Sequence, residues 1–432
     1  MKSVNDSQKE DEKELAVNGG PKAVTAAPPE NGLHGINEIG EEEIQAVTDV
    51  LRSKKIFRFM KDQSTSPVAH FEAMFAERTG AKHVLAVNSG TSALIAGLVG
   101  IGVSQGDEVL IPAYTYIATG AAVMALGAIP VVVEIDESMM MDPRDIAKKV
   151  TPRTTAVIPV HMRGKPCNME AILAEARRFG LKVFEDCAQA MGGTYRGQAL
   201  GLLGDAGEYS LQQYKIITAG EGGAVVSNDT TVFDRAAIYH DCAYAFWMSK
   251  TPGAIASGTP VFLGENFRQS EVHGAIALEQ LKKLDGILNR TRAIRVKIKD
   301  ALESLPGARL ETFNDEEGDC GISIGFHMET REEAVRVAEM LRAEGVPFGS
   351  IFSKDIPDRH MFYHWDFLMD KRTPHTNGFP WNGAGEHEYS KEMCPQTLDL
   401  LERNVVMKIT QIMSDDYIDQ CCQGIEKVAR HL

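Results

Sequence analysis

Residues 209–229 read YSLQQYKIITAGEGGAVVSND. Lys215 stands among apolar and small residues, with Gly220, Gly222 and Gly223 close behind it. The run after it, GAVVSND, reads as a buried strand rather than a surface turn. A lysine held in such surroundings loses its proton at moderate pH and can attack an aldehyde. Ser210, five residues earlier, offers a hydroxyl to a phosphate. The plainer reading, a snorkelling surface lysine before a glycine-rich turn, is weakened by the strand that follows.

Upstream of this stretch, short Val- and Ile-rich runs occur at 83–88, 108–112, 129–135, 155–161 and 182–186, with helical patterns such as TSALIAGLVGIG between them. Alternation of this kind predicts an α/β fold, a large and mostly parallel sheet of seven-stranded type flanked by helices. The large domain is expected over residues 41–285 and a smaller C-terminal α/β domain over 286–432. Residues 16–40 are expected to join the small domain, after a disordered tail at 1–15. A helical pattern over 270–305 links the two domains and is long enough to require a bend. Residues 353–394, rich in His, Trp, Pro, Asn and Gly, read as an irregular loop region.

Ligands of α/β sheets bind beyond the carboxyl ends of the strands, and three further strand ends carry chemistry. In NSGTSAL, 88–94, Gly90, Thr91 and Ser92 open a helix whose free N–H groups suit an anion such as phosphate. The alternative there is a simple helix cap. In PAYTYIAT, Tyr116 can stack on a planar ring, although a packing role is the commoner one for tyrosine. In KVFEDCAQA an apolar strand runs into Asp186. A buried carboxylate needs a partner, and a pyridinium N–H would serve, unless Asp186 only caps the next helix. Gln189 can reach a ring oxygen. An anion cradle, a stacking ring, a pyridinium partner and a Schiff-base lysine are together the requirements of pyridoxal 5′-phosphate.

Composition narrows the alternatives. A net charge of −15 argues against nucleic acid as a partner. No apolar stretch is long enough for a membrane span, and the charged N-terminus lacks the apolar centre of a secretory signal. Seven cysteines without a CxxC pair predict neither a zinc site nor a disulfide framework, and fit a reducing cytoplasm. No metal is expected. A nicotinamide dehydrogenase would need GxGxxG after the first strand, and none is there.

The motifs SGTSAL, PAYTYIAT, EDCAQAMGG, YSLQQYKIITAGEGGAVVSND and GENFRQSE together resemble the DegT/DnrJ/EryC1/StrS sugar aminotransferases, fold-type I pyridoxal-phosphate enzymes, over roughly residues 17–430. The resemblance implies that Lys215 forms the Schiff base and shuttles protons, that Asp186 pairs with the ring nitrogen, and that Gln189 bonds the ring hydroxyl. It implies that Tyr116 stacks on the ring and that Gly90, Thr91 and Ser210 hold the phosphate. Asn266 would reach the phosphate of a neighbouring subunit in a homodimer with shared sites, and Arg268 would help to bind an anionic group. The implied reaction transfers an amino group from glutamate or glutamine to a nucleotide-linked ketosugar, a keto-inositol or an oxidised octulosonate. Family members that carry out dehydration have His in place of the lysine, so Lys215 disfavours that reading. A cofactor-binding regulatory protein without turnover is the remaining alternative. Met162 and Arg163 stand where the family often has an aliphatic residue and Tyr. The loop 353–394, with His360, His364, Trp365 and Trp381, is expected to shape the acceptor pocket, His364 as a substrate residue; packing is the competing role for its aromatics.

Overall fold

The computed structural model describes residues 14–60, 62–243, 259–383 and 387–432. Most of the expected tail, residues 1–13, lies outside these, while Leu15 is buried. The strands of the first half are β1 (His83–Val87), β2 (Glu108–Pro112), β3 (Ile129–Val133), β4 (Thr154–Val157), β5 (Lys182–Asp186), a short hairpin of β6 (Thr194–Tyr195) and β7 (Gln198–Ala199), β8 (Ala206–Ser210) and β9 (Gly223–Ser227). Seven of them form one sheet in the order β1-β9-β8-β5-β4-β2-β3. Strand β9 runs antiparallel to β1 and β8, and the other neighbours are parallel. β2, β3, β8 and β9 are buried along their whole length, as expected of strands covered on both faces.

The helix Gly90–Ile101 shows why its sequence, GTSALIAGLVGI, has no polar stripe. Ten of its twelve residues are buried, because it is covered by the sheet on one side and by the helix Thr230–His240 on the other. A Cβ at Gly97 would lie 2.2 Å from the Phe184 ring, so glycine there lets the helix axis approach β5 closely. That approach sets the height of the helix N-terminus over the end of the sheet.

The linking helix is not interrupted. Glu271–Leu302 is one 32-residue helix, and the boundary anticipated at 285/286 falls inside it. Its first half packs Ala277, Leu281 and Leu284 into the core of the large sheet. Its second half packs Ile294, Ile298 and Leu302 into another core. That core lies on an antiparallel sheet of β10 (Arg309–Leu310), β11 (Ser323–His327), β12 (Gly349–Ser350) and β13 (Asn404–Lys408), in the order β10-β11-β13-β12. Residues of two cores are thus carried on one continuous helix. Leu15 and Val24 join the second core, and Glu344 ties that segment down by accepting from Ala16 N–H at 2.7 Å and Ala23 N–H at 2.9 Å.

Candidate active site

The carboxyl ends of β1, β5 and β8 and the first residue of β9 meet at one edge of the sheet, since Gly223 pairs with both Val87 and Ser210. Here the helix Gly90–Ile101 begins. Ser89, not Ser92, is its cap: the Ser89 hydroxyl accepts from Ser92 N–H at 3.0 Å. Ser92 is turned inward and donates its own hydroxyl to Asn88 Oδ1 at 2.6 Å. The N–H groups of Gly90 and Thr91, at the first two helical positions, have no intrahelical acceptor. Ser210 lies against them. A Cβ on Gly90 would sit 2.8 Å from Ser210 Cβ and 2.9 Å from its hydroxyl. A Cβ on Gly223 would sit 2.5 Å from the Ser89 carbonyl oxygen. The two glycines therefore let three backbone segments converge, and the result is a small cradle with open N–H groups and a hydroxyl, which fits a phosphate.

Lys215 lies in the loop between β8 and β9. That loop is closed on itself by Leu211 N–H to the Gly222 carbonyl (2.9 Å) and Gln213 N–H to the Gly220 carbonyl (3.0 Å). Gly220 has φ +80°, a conformation that disfavours any side chain. The Lys215 amine makes no ion pair among the described residues, yet it feels the charges of Asp186, Glu208 and Glu221. Burial pushes its pKa below the usual lysine value in spite of those carboxylates. It is thus an uncommitted amine poised toward its nucleophilic form.

Asp186 ends β5 and is buried. One carboxylate oxygen accepts from the Thr119 hydroxyl at 2.8 Å and the other from Ala188 N–H at 3.1 Å. The side-chain carbonyl of Gln189 accepts from Arg163 N–H at 2.9 Å, which leaves its amide N–H₂ for a ligand. Tyr116 is exposed, with 40% of its surface open to solvent. Its ring lies 5.2 Å from that of His360, and the two segments are tied by Thr115 N–H to the His360 carbonyl at 2.9 Å.

Four expected residues stand apart from this group. The contacts of His364, expected as a substrate residue, are with the Ser353 carbonyl (2.9 Å) and the rings of Phe352 and Tyr363; it is His360 that lies beside Tyr116. Trp365 is a packing residue, buried and donating its indole N–H to the Arg359 carbonyl at 3.1 Å. Arg268 is already paired with Asp241 and covers the Phe57 ring, while Asn266 is exposed beside the end of β1. The sequence reading missed Thr119 and Glu208, whose side chains reach Asp186 from other elements; strand pairing alone brings Glu208 there.

One face away, His161, Glu185 and Cys187 cluster tightly. Their geometry is that of a closed hydrogen-bond network. His161 Nδ1 accepts from Cys167 N–H at 3.0 Å, so Nε2 carries the proton and donates to Glu185 at 3.1 Å. Glu185 also accepts from the N–H groups of Gly201 (2.9 Å), Leu203 (2.7 Å) and Gly204 (2.7 Å).

Among the described residues no helix is long and apolar enough to cross a membrane. The chain is 29% identical over 397 residues to the spore coat polysaccharide biosynthesis protein SpsC of Bacillus subtilis, covering 91% of this chain and 95% of that one. The structure superposes on an aminotransferase from Psychrobacter cryohalolentis with a TM-score of 0.73 and 26% identity, over 91% of this chain and 98% of the other. It superposes on DesI, solved in the presence of its TDP-sugar product, with a TM-score of 0.72 and 26% identity, over 97% of each chain. The model of the DegT/DnrJ/EryC1/StrS aminotransferase family matches residues 37–382, and the chain belongs to that family of pyridoxal-phosphate-dependent aminotransferases.

Proposed function

We propose that this protein transfers an amino group from glutamate or glutamine to the keto or aldehyde carbon of a sugar-like acceptor, a nucleotide-linked ketosugar, a keto-inositol or an oxidised octulosonate. The observation that carries the reading is the uncommitted, half-buried amine of Lys215 near the strand-end carboxylate of Asp186 and an open anion cradle. The TDP-sugar named with DesI and the polysaccharide role named for SpsC support a sugar-like acceptor.

In this reading Lys215 Nζ would hold the cofactor covalently and would move a proton between the nitrogen-bearing carbon of donor or acceptor and the cofactor. Gly90 and Thr91 N–H and the Ser210 hydroxyl would hold the phosphate. Asp186 would pair with the ring nitrogen, Gln189 would bond the ring oxygen, and Tyr116 would stack on the ring. When bound, the cofactor withdraws electrons from the carbon that bears the amino group. Asn266 serves the site of a second copy in a cytoplasmic homodimer, which accounts for its exposure in one chain.

The test is direct. Purified protein incubated with pyridoxal phosphate should turn yellow, and borohydride should fix the label on Lys215. Glutamate or glutamine should discharge the colour, and a screen of carbonyl acceptors by mass should find one that gains an amine. Lys215→Ala should lose both colour and turnover, by roughly 10⁴-fold or more. Label on another lysine, or turnover by Lys215→Ala, refutes the assignment.

A further inference from the structure

β5 and β8 are adjacent parallel strands, and their register sets Asp186 directly against Glu208. Paired residues of neighbouring strands point to the same face of a sheet. Both side chains are buried, Glu208 completely. Asp186 is well served, with the Thr119 hydroxyl and Ala188 N–H as donors. Glu208 is not: among the described residues no donor meets hydrogen-bond geometry at either of its carboxyl oxygens, and the Ala188 N–H close by is directed to Asp186. Its side-chain neighbour is the Asp186 carboxyl itself.

An ionised, wholly buried carboxylate with no donor would be very costly. Two carboxylates sharing one site cannot both be charged. The contradiction vanishes when one of them carries a proton, because an acid O–H donates to its neighbour and both groups are satisfied. Asp186 already has two donors and Glu208 none, so the proton belongs on Glu208.

We propose that Glu208 is a protonated carboxylic acid that donates its O–H to Asp186, and that it acts as a positioning residue for the carboxylate facing the cofactor's ring nitrogen. The second part rests on the role given above to Asp186; the first does not. Removing the donor frees Asp186 to rotate and changes how strongly it holds a proton on the ring.

The titratable groups around Glu208 are Asp186 on β5, the Cys187 thiol next to it, and Lys215 on the following loop. Burial first, then the Asp186 charge, raises the Glu208 pKa well above that of an ordinary carboxyl, and Lys215 opposes this. A carboxyl whose pKa is raised by folding favours the folded chain at low pH. That advantage is lost as pH rises from the unfolded value toward the folded one. Glu208→Gln keeps an N–H donor toward Asp186 but cannot ionise.

Denaturant unfolding of the cofactor-free full chain should therefore show wild type losing ground to Glu208→Gln as pH rises from about 5 to 8. The ratio of their unfolding constants should change by up to about tenfold per pH unit. Parallel pH profiles overturn the proposal. If Glu208→Gln does not fold, infrared spectra of wild type with labelled glutamate decide: a protonated carboxyl band at neutral pH supports it, and the absence of one overturns it.

With the cofactor bound, Glu208→Met should shift the pH midpoint of the visible band and lower kcat by about tenfold, the scale of losing a buried orienting partner. KM for the donor should change little, and Glu208→Gln should restore the wild-type midpoint. A midpoint unmoved in Glu208→Met but moved in Asp186→Ala overturns the positioning role. A midpoint unmoved in both means that the Asp186 assignment has failed, while the unfolding profile still judges the proton on Glu208.

Discussion

Glu185 and Asp186 are consecutive residues of β5, yet they live in opposite circumstances. Glu185 points to the face where four donors close on it: His161 and the N–H groups of Gly201, Leu203 and Gly204. Asp186 points to the face where, among the described residues, Lys215 makes no ion pair and Glu208 meets no donor, and where Gly90 and Thr91 begin a helix with N–H groups that lack an intrahelical acceptor. Both carboxylates are buried, so burial alone does not separate a structural acid from a functional one. Satisfaction does. A saturated buried charge holds the loop at 201–204 in place, whereas polar groups left open around Asp186 are paid for by stability elsewhere and are free to bind a ligand.

This contrast can be broken by substitution on either face. The largest effect is expected from Asp186→Ala. If Asp186 keeps the ring nitrogen protonated, its loss should raise the barrier by about 3–4 kcal/mol, the usual scale for a lost electrostatic partner. kcat should fall by orders of magnitude with the fold intact by circular dichroism. Near-normal kinetics would make Asp186 a cap for the turn at Ala188 and nothing more. Glu185→Gln should behave in the opposite way. An amide presents N–H₂ to at least one donor it formerly accepted from, and leaves buried donors unsatisfied. The expected cost is about 3 kcal/mol of stability, read as a lower denaturation midpoint. The folded fraction should retain its cofactor content and kcat. Loss of activity per folded molecule would show that the two faces are not independent.

The sequence made one half of this contrast legible. The Val- and Ile-rich runs fell on β1 to β5 because strands covered on both faces must be apolar throughout, and that signal is local. Lys215, Asp186, Gly90 and Ser210 were visible because each follows a strand or opens a helix. The long pattern at 270–305 is one unbroken helix, and two separate cores pack along it. Strand β8, with Gly207 and Glu208 in its five residues, carried no such pattern, and its place beside β5 is fixed by topology rather than by spacing. Glu208 was therefore invisible as a neighbour of Asp186, 22 residues before it. His364 looked equivalent to His360 in a loop without periodicity; only the backbone bonds from Thr115 and Ile117 choose between them.

The finest test of the contrast is Thr119→Val. Thr119 is buried and its hydroxyl donates to Asp186 at 2.8 Å. Since that proton is committed, the 2.7 Å contact between the Thr115 and Thr119 hydroxyls must have Thr115 as donor. Two hydroxyls thus relay one orientation to Asp186 from the same segment that carries Tyr116. Valine preserves the shape and removes this one donor. Ala188 N–H remains, as does the Glu208 O–H if that acid is protonated, so the loss should be that of one hydrogen bond among three. About 1 kcal/mol is expected, or roughly a fivefold fall in kcat with KM for the donor unchanged. Thr119→Ser should recover most of it. If Thr119→Val lowers stability by that amount but leaves kcat and the visible band where they were, Asp186 is oriented by its other two donors. The Thr115–Thr119 pair then belongs with Glu185, on the side of the strand end that only holds the fold together.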